Sequence, residues 1–346
     1  MRVAVISASV PFIRGGAEML EEELVRQLRA RDVDVVHIRL PFDWSTPEAV
    51  QRSMAGAAAV RLPNVDRVLP LKFPAWLVPH EAKVAWVFHQ FRQMYDLWEA
   101  GLSGWSDDDR AALHLRRLVV QSDTAALSQC IRVHTYSPTT RDRLRRFNGI
   151  DSSLLYTPMA SDSVFRSGAH GDEMVALGRV SGAKRQALAV EAVALTQTPV
   201  RLVIAGVPDP PEYGVQIRRR IHELGVGDRV TFIDRFITEA EKISLLETAL
   251  GSVYQPIDED NFGYVTAESF LARRPVVTAN DSGGVCWIVE DGVTGFVADP
   301  EPRAVAAVFD ALFNDRRRAA ELGDAGFDRL AGLELNWDHT IRTLLA

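Results

Sequence analysis

Short apolar runs rich in Val and Ile alternate with longer helix-like segments along this chain, and the pattern occurs twice. Such runs are typical of strands in a parallel sheet, and the longer segments are typical of the helices that connect them. The pattern predicts strands at 3–7, 33–38, 67–71, 83–88 and 131–136 in the first half, and at 174–177, 201–205, 230–233, 252–255 and 275–278 in the second.

This repetition predicts an α/β protein of two doubly wound domains, in keeping with a length of 346 residues, which exceeds the usual size of one core. The stretch at 156–172 carries Pro158, Gly168 and Gly171 among small polar residues and is the predicted linker. We therefore expect one domain at 1–160 and another at 171–332. Ligands of such sheets bind beyond the carboxyl ends of the strands, so facing domains would form a cleft.

Composition and charge narrow the function classes. A formal net charge of -7 argues against a general nucleic-acid binder, because such proteins need a positive field. Two local basic clusters are interpreted as solvated helix faces, with docking on an anionic membrane as the less favoured alternative. These clusters comprise Arg141, Arg143, Arg145 and Arg146, and Arg218, Arg219 and Arg220.

Several sequence features point to a cytoplasmic protein without metal or disulfides. No apolar run approaches the roughly 20 residues of a spanning helix, and the first residues predict a strand without a secretory cleavage pattern. Cys130 and Cys286 are too far apart in the sequence for a metal-ligand spacing and are interpreted as buried structural thiols.

Asp260 and Glu268 are eight positions apart and carry the most informative candidate chemistry. Gly263 between them favours a loop that leads into a helix beginning near Tyr264. Asp260 would then precede the helix, and Glu268 would lie in its first turns. Free amides at a helix N-terminus suit a polyhydroxyl ligand that carries phosphate, whereas a capped surface helix is the alternative.

Arg179 directly follows a predicted strand, and Lys184 lies at the start of the next helix. A planar guanidinium and a compact ammonium can together neutralise a diphosphate, although a basic surface turn is the alternative. Because this pair offers the charge that a metal would bring, we do not interpret the acidic run at 258–260 as a metal site. Asp260 is instead interpreted as the first carboxylate of the motif that ends at Glu268.

Further candidates also follow predicted strands. Arg235 and Phe236 could approach a base, with a core position for Phe236 as the alternative. Gly15 and Gly16 could form a phosphate loop or a simple tight turn. A last group could contact an acceptor, although a lone histidine is more often structural. This group comprises His89, Gln90, Arg92 and Tyr95.

Taken together, these segments resemble a family 4 retaining glycosyltransferase of the GT-B fold, with two Rossmann-like domains. The family's signature matches Asp260, Phe262-Gly263 and Glu268, with Asp260 in place of the usual Glu. The resemblance implies that Asp260 contacts the donor sugar and Glu268 the ribose. The donor-binding set that it implies around them is Asn261, Phe262, Gly263 and Tyr264.

Other segments extend the resemblance. Arg179 and Lys184 match the family's diphosphate-binding pair, and Gly15-Gly16 matches its N-terminal glycine loop. Gly283-Gly284 matches a further glycine pair, while Trp287 stands where a Glu is common. The segment at 333–346 resembles a terminal helix that packs back on the first domain.

The resemblance implies transfer of a sugar from a uridine, guanosine or thymidine diphosphate donor to a hydroxyl of a carbohydrate or natural-product acceptor. It implies retention of the anomeric configuration and no required cofactor or metal. His89, Arg179, Lys184 and Asp260 would form the catalytic set. A GT-B sugar-nucleotide epimerase and a non-catalytic nucleotide-sugar-binding or partner module are the alternatives. His89-Gln90 with Tyr95-Asp96-Leu97 resembles a bacterial subgroup that glycosylates surface polysaccharides and natural products such as antibiotics.

Overall fold

A computed structural model describes residues 1–9, 15–159 and 165–346. The chain divides into two compact units. The first unit comprises Met1–Pro158 and Leu335–Ala346, and the second comprises Met159–Glu334. Part of the predicted linker, at 160–164, lies outside the described residues.

The first unit contains six parallel strands. The sheet order is β2-β1-β3 in one group and β4-β5-β6 in the other. Isolated parallel bridges, Val68 to Lys83 and Lys72 to His89, join the two groups between β3 and β4. The strands are β1 (Arg2–Ser9), β2 (Asp34–Pro41), β3 (Arg67–Pro70), β4 (Val84–Val87), β5 (Arg132–Thr135) and β6 (Ser153–Leu154).

Helices of the first unit begin where the sequence supplies caps. Thr46 and Ser137 each accept a hydrogen bond from the backbone three residues on, and a proline follows each cap at the first helical position. Short 3-10 turns lie at Ala75–Leu77 and Arg92–Met94. The helices are α1 (Gly16–Arg29), α2 (Pro47–Ala59), α3 (Asp96–Glu99), α4 (Arg110–Ser128) and α5 (Pro138–Asn148).

The second unit contains one parallel sheet in the order β9-β8-β7-β10-β11-β12, which is the strand order of the Rossmann fold. Its strands are β7 (Glu173–Leu177), β8 (Arg201–Ala205), β9 (Val230–Ile233), β10 (Gly251–Val253), β11 (Val276–Ala279) and β12 (Gly295–Ala298). Its helices are α6 (Gln186–Leu195), α7 (Pro211–Glu223), α8 (Glu239–Thr248), α9 (Tyr264–Leu271), α10 (Val285–Ile288), α11 (Pro302–Asn314) and α12 (Arg316–Ala331).

The terminal helix α13 (Trp337–Leu345) belongs to the first unit. Its apolar side chains Ile341 and Leu344 are buried in one cluster with residues of β1 and α1. Arg67 of β3 also donates a 3.3 Å hydrogen bond to the carbonyl oxygen of Leu344. The last residues of the chain therefore complete the core formed by its first residues.

The predicted α/β class is confirmed, and each of the ten predicted strands has a counterpart. The sequence analysis missed β6 and β12. It predicted buried cysteines, whereas Cys130 and Cys286 are only half-buried. Desolvation still raises the pKa of the Cys130 thiol, to about 11, so this thiol is largely protonated near neutral pH. Within the described ranges, no helix is both long enough and apolar enough to cross a membrane.

Candidate functional site

The strand order of the second unit reverses between β7 and β10, which are neighbours in the sheet although β8 and β9 lie between them in the sequence. Ligands of open α/β sheets bind outside the carboxyl ends of strands at such a point. Arg179 and Lys184 follow β7, and Tyr254 directly follows β10. The topology thus brings residues 70 or more positions apart in the sequence to one edge of the sheet.

Lys184 is the centre of a group of polar contacts at this edge. Its ammonium forms an ion pair with the Glu259 carboxylate and donates a 2.9 Å hydrogen bond to the Tyr254 hydroxyl. The Tyr254 hydroxyl also lies 3.2 Å from Glu259 Oε2. Burial, with the Glu259 charge beside it, raises the pKa of the Tyr254 phenol well above its ordinary value. Tyr254 is therefore a neutral hydrogen-bonding group in this trio.

The loop that carries the acidic residues packs against the glycine pair of the sequence motif. The backbone N–H of Gly284 donates a 2.7 Å hydrogen bond to the carbonyl oxygen of Glu259. Gly283 has a φ of +60°, and a Cβ there would lie 2.5 Å from the same carbonyl oxygen. Only glycine fits this close approach without a shift of the loop. The close packing of this loop thus explains why glycine occurs at these positions, which the sequence alone did not reveal.

Gly263 forms the junction between this loop and α9. Its φ is +75°, and a Cβ would lie 2.6 Å from the Tyr254 ring. The helix begins at Tyr264, which confirms the predicted start. Phe262 is buried with its ring 6.3 Å from Trp287, and its amide donates a 2.8 Å bond to the Asn261 side chain.

The two motif carboxylates occupy different surroundings. Asp260 is almost fully buried in the loop before α9. Glu268 lies within α9, and its Oε1 is 2.5 Å from the Lys242 ammonium of α8. Burial raises the pKa of the Glu268 carboxyl, and the charge of Lys242 partly offsets that rise. The sequence analysis missed Lys242, because its contact with Glu268 joins two helices across 26 positions of the sequence.

The remaining donor candidates are more exposed. Arg179 donates a 3.1 Å hydrogen bond to Asp209, and Arg235 forms a 2.6 Å ion pair with Glu241. Phe236 is 79% exposed, so the alternative of a core position is wrong. An exposed aromatic ring beside the carboxyl end of β9 is accessible to a base, and its contact with a base stays a prediction.

In the first unit, Gly15 and Gly16 lie at the start of α1, with Gly15 as the N-cap. The Gly15 amide donates a 2.9 Å bond to the Glu18 carboxylate, which also lies 2.5 Å from the Lys72 ammonium. The backbone of Lys72 in turn forms an isolated parallel β-bridge with that of His89. The sequence analysis missed Lys72, a lysine that closely follows β3.

Two of the four acceptor candidates face the interior of the first unit. Tyr95 is fully buried, and its hydroxyl donates a 2.7 Å hydrogen bond to Asp123. Gln90 is also buried and donates to the Asn148 side chain at 2.5 Å. These contacts give both residues a role in stabilising the fold. Neither side chain offers an exposed surface to an acceptor.

The other two acceptor candidates are partly exposed. His89 Nδ1 lies 2.8 Å from the carbonyl oxygen of Gln90, a contact that orients the ring. Arg92 forms a 2.6 Å ion pair with Asp96 within the same segment. His89 and Arg92 therefore remain the acceptor candidates of this segment. Across the residues that the structure describes, no group of three or more Asp, Glu, His or Cys side chains is arranged to hold a metal ion.

Comparison with known families gives a match within the second unit. Residues 166–329 match the family described as "Glycosyl transferases group 1". The alpha-maltose-1-phosphate synthase of Mycolicibacterium smegmatis is 26% identical over 98% of this chain and 96% of its own. The human alpha-1,3/1,6-mannosyltransferase ALG2 is 26% identical over 61% of this chain, a match that spans only 56% of ALG2.

Solved structures show the same fold. The Anabaena protein Alr3699/HepE in complex with UDP superposes with a TM-score of 0.74 at 16% identity, over 100% of this chain and 98% of that protein. The lipopolysaccharide outer core galactosyltransferase WaaB superposes with a TM-score of 0.72 at 13% identity, over 100% and 99%. These likenesses establish the GT-B fold that the motifs predicted.

Proposed function

Because residues 166–329 belong to the group 1 glycosyltransferases and the chain has the GT-B fold, we propose that it is a retaining glycosyltransferase that uses a nucleotide-diphosphate sugar. The acceptor is a hydroxyl of a carbohydrate or natural product. The first unit binds the acceptor and the second binds the donor in this proposal.

One observation carries the proposal. Lys184, Tyr254 and the loop before α9 meet at the carboxyl edge of the sheet, where the strand order of the second unit reverses. That edge combines a cation for phosphate with the backbone amides at the N-terminus of α9. A basic surface turn would not require a lysine held by two polar partners at a ligand-binding position.

The proposed chemistry depends on the departing diphosphate. The bond between the anomeric carbon and the phosphate oxygen breaks while the acceptor oxygen bonds to that carbon on the same face. The acceptor's proton passes to the departing phosphate oxygen. Lys184 and Arg179 stabilise the negative charge that develops there, which is the main catalytic contribution of this chain.

The carboxylates position the donor in this mechanism. Asp260 contacts the donor sugar, and Glu268 accepts hydrogen bonds from ribose hydroxyls, with Lys242 holding the Glu268 carboxylate in place. Neither acid acts as a nucleophile. His89 hydrogen-bonds near the transferred sugar. The carboxylate pair of glycosidases flanks a scissile bond, whereas these two acids grip different parts of one donor.

The relatives do not decide the donor. One matched protein is described as GDP-mannose-dependent, and the matched Anabaena structure contains UDP. A thermal-shift screen of UDP-, GDP- and dTDP-linked sugars identifies the donor, because a ligand that binds only the folded state raises its stability. A donor-hydrolysis assay and then transfer to candidate acceptors follow with the stabilising donor.

The screen separates the proposal from its alternatives. Transfer with retained anomeric configuration, read by NMR of the product, supports it. Donor binding without hydrolysis or transfer across a broad acceptor panel supports a binding module instead. Epimerised donor formed without any acceptor supports an epimerase.

A further inference from the structure

We propose that Glu259 is an internal counter-ion of Lys184 that competes with the donor's diphosphate, so that Glu259 sets the affinity of the site for nucleotide. This inference rests on the proposed function of the second unit. Glu259 lies just outside the Asp260 to Glu268 motif, and the family resemblance assigns it no role.

The contacts around Lys184 carry the inference. The ammonium pairs with Glu259 and donates to the Tyr254 hydroxyl at 2.9 Å, and that hydroxyl lies 3.2 Å from the same carboxylate oxygen. The side chain of Lys184 is 16% exposed and that of Glu259 is 28% exposed. A partly buried pair is screened by salt less than an exposed pair, so its charge matters to any ligand that approaches.

The backbone holds the two partners near each other. The N–H of Ile257 donates a 2.8 Å hydrogen bond to the carbonyl oxygen of Ala183, which joins the segments that carry Glu259 and Lys184. Glu259 itself is fixed through its carbonyl oxygen, which accepts the 2.7 Å bond from Gly284. The carboxylate therefore belongs to an ordered loop and is not a surface side chain that moves away freely.

Charge determines the direction of the effect. A diphosphate that reaches Lys184 meets the Glu259 carboxylate, which has the same sign of charge. Binding then requires the Lys184 ammonium either to leave Glu259 or to contact the carboxylate and the diphosphate together. Each alternative costs part of the ion-pair energy, which is modest for a pair that water reaches. Removing the carboxylate abolishes that cost while the ammonium and Tyr254 stay.

The test is isothermal titration of the full chain with UDP, with GDP and with dTDP at low ionic strength. Glu259→Gln keeps a polar side chain of similar shape and is expected to lower the Kd of the nucleotide that binds most tightly about two- to fivefold. Glu259→Ala is expected to lower it in the same direction. Added salt is expected to narrow the difference between wild type and variant.

Asp258→Asn is the matched control. It removes the same charge one residue away, at a position where φ is +45°, a conformation that Asn tolerates. A gain in affinity for Asp258→Asn equal to that of Glu259→Gln would reduce the effect to net charge and overturn the inference. Unchanged or weaker binding by both Glu259 variants would also overturn it while the proposed function stands. If the wild type binds none of the three nucleotides, the proposed function fails, and this inference fails with it.

Discussion

The two units are both built on parallel strands, but they use polar side chains differently at the strand ends. In the second unit, Lys184 with Glu259 and Lys242 with Glu268 form ion pairs that water still reaches. In the first unit, Tyr95 after β4 points into the core and donates to Asp123, which is fully buried. The two ion pairs stay near solvent, whereas the Tyr95 and Asp123 pair is enclosed in the core.

This difference separates polar groups that can bind a ligand from polar groups that only stabilise the fold. An ion pair near solvent can exchange one partner for a ligand, because water covers the group that is released. The buried carboxylate of Asp123 accepts from Tyr95 and, at 2.8 Å, from the Trp76 indole, and it cannot give up either bond without leaving a buried polar group unpaired. The comparison predicts that substitutions at the two ion pairs change activity and that substitution of Asp123 changes stability.

The largest expected effect is on turnover. Lys184→Ala removes the cation beside the departing diphosphate and is expected to lower kcat about 10²- to 10³-fold. The fold stays intact because the Lys184 side chain is not part of the core, as circular dichroism and thermal unfolding would verify. Arg201→Ala is the control, since Arg201 is a half-exposed cation at the opposite end of the same sheet. Near-normal transfer by folded Lys184→Ala would contradict the assignment.

The next effect is on stability and tests the first unit. Burial raises the pKa of Asp123 from 3.8 to about 7. An acid whose pKa is higher in the folded state binds its proton more tightly there, so its contribution to stability is full below about pH 4 and is lost by about pH 7.

Asp123→Asn removes this titration. The free energy of unfolding of the wild type relative to the variant is expected to fall by up to about 1.4 kcal/mol per pH unit across that window. Urea unfolding of both proteins at several pH values measures the difference. Other groups, such as His134 with its pKa lowered to about 4 by burial, titrate in both proteins and cancel. A difference that does not change with pH would show that Asp123 is not a buried titrating acid.

Much of the fold could be predicted because it depends on local patterns. Buried strands such as β1 and β8 are continuous apolar runs, and such runs stand out in any parallel sheet. The two missed strands lack that signal. β6 has only two residues, and β12 begins at Gly295 and is half-exposed in its middle. Their pairing with a neighbouring strand defines them, and a local pattern cannot show that pairing.

The candidate site could be predicted only where one segment carries it. The loop at Asp260 and the start of α9 follow from Gly263, whose conformational freedom is visible in the sequence. Lys242 and the pairing of Lys184 with Glu259 depend on which segments the sheet brings together, and no spacing encodes that. The burial of Tyr95 was not predicted for the same reason, because the side to which a residue after a strand turns is set by tertiary packing.

A smaller effect tests whether Lys242 supports the site. Lys242→Met keeps the length of the side chain and removes the ammonium that lies 2.5 Å from Glu268. Burial already raises the pKa of Glu268, and without Lys242 the rise is no longer offset. We expect the donor KM to rise about tenfold with little change in kcat, since the pair acts in binding.

The pH dependence distinguishes this role from a purely structural one. Glu268 of the variant protonates at a higher pH than Glu268 of the wild type, so the donor KM of the variant should increase more steeply as the pH falls. Lys242→Arg keeps the charge and should restore most of the affinity. Parallel pH profiles for Lys242→Met and the wild type would count against Lys242 as a positioning residue.

The smallest effect concerns Phe236 and tests the exposed edge of the second unit. If the ring stacks on the donor base, Phe236→Ala raises the Kd of the bound nucleotide about fivefold, since stacking of a base on an aromatic is worth at least about 1 kcal/mol. Thermal unfolding should shift by less than about 2 °C because an exposed side chain adds little to folding. Val215→Ala removes another exposed apolar side chain, on α7, and should change neither quantity. If Phe236→Ala binds nucleotide as tightly as the wild type, the base lies elsewhere, and the exposure of Phe236 has no role in donor binding.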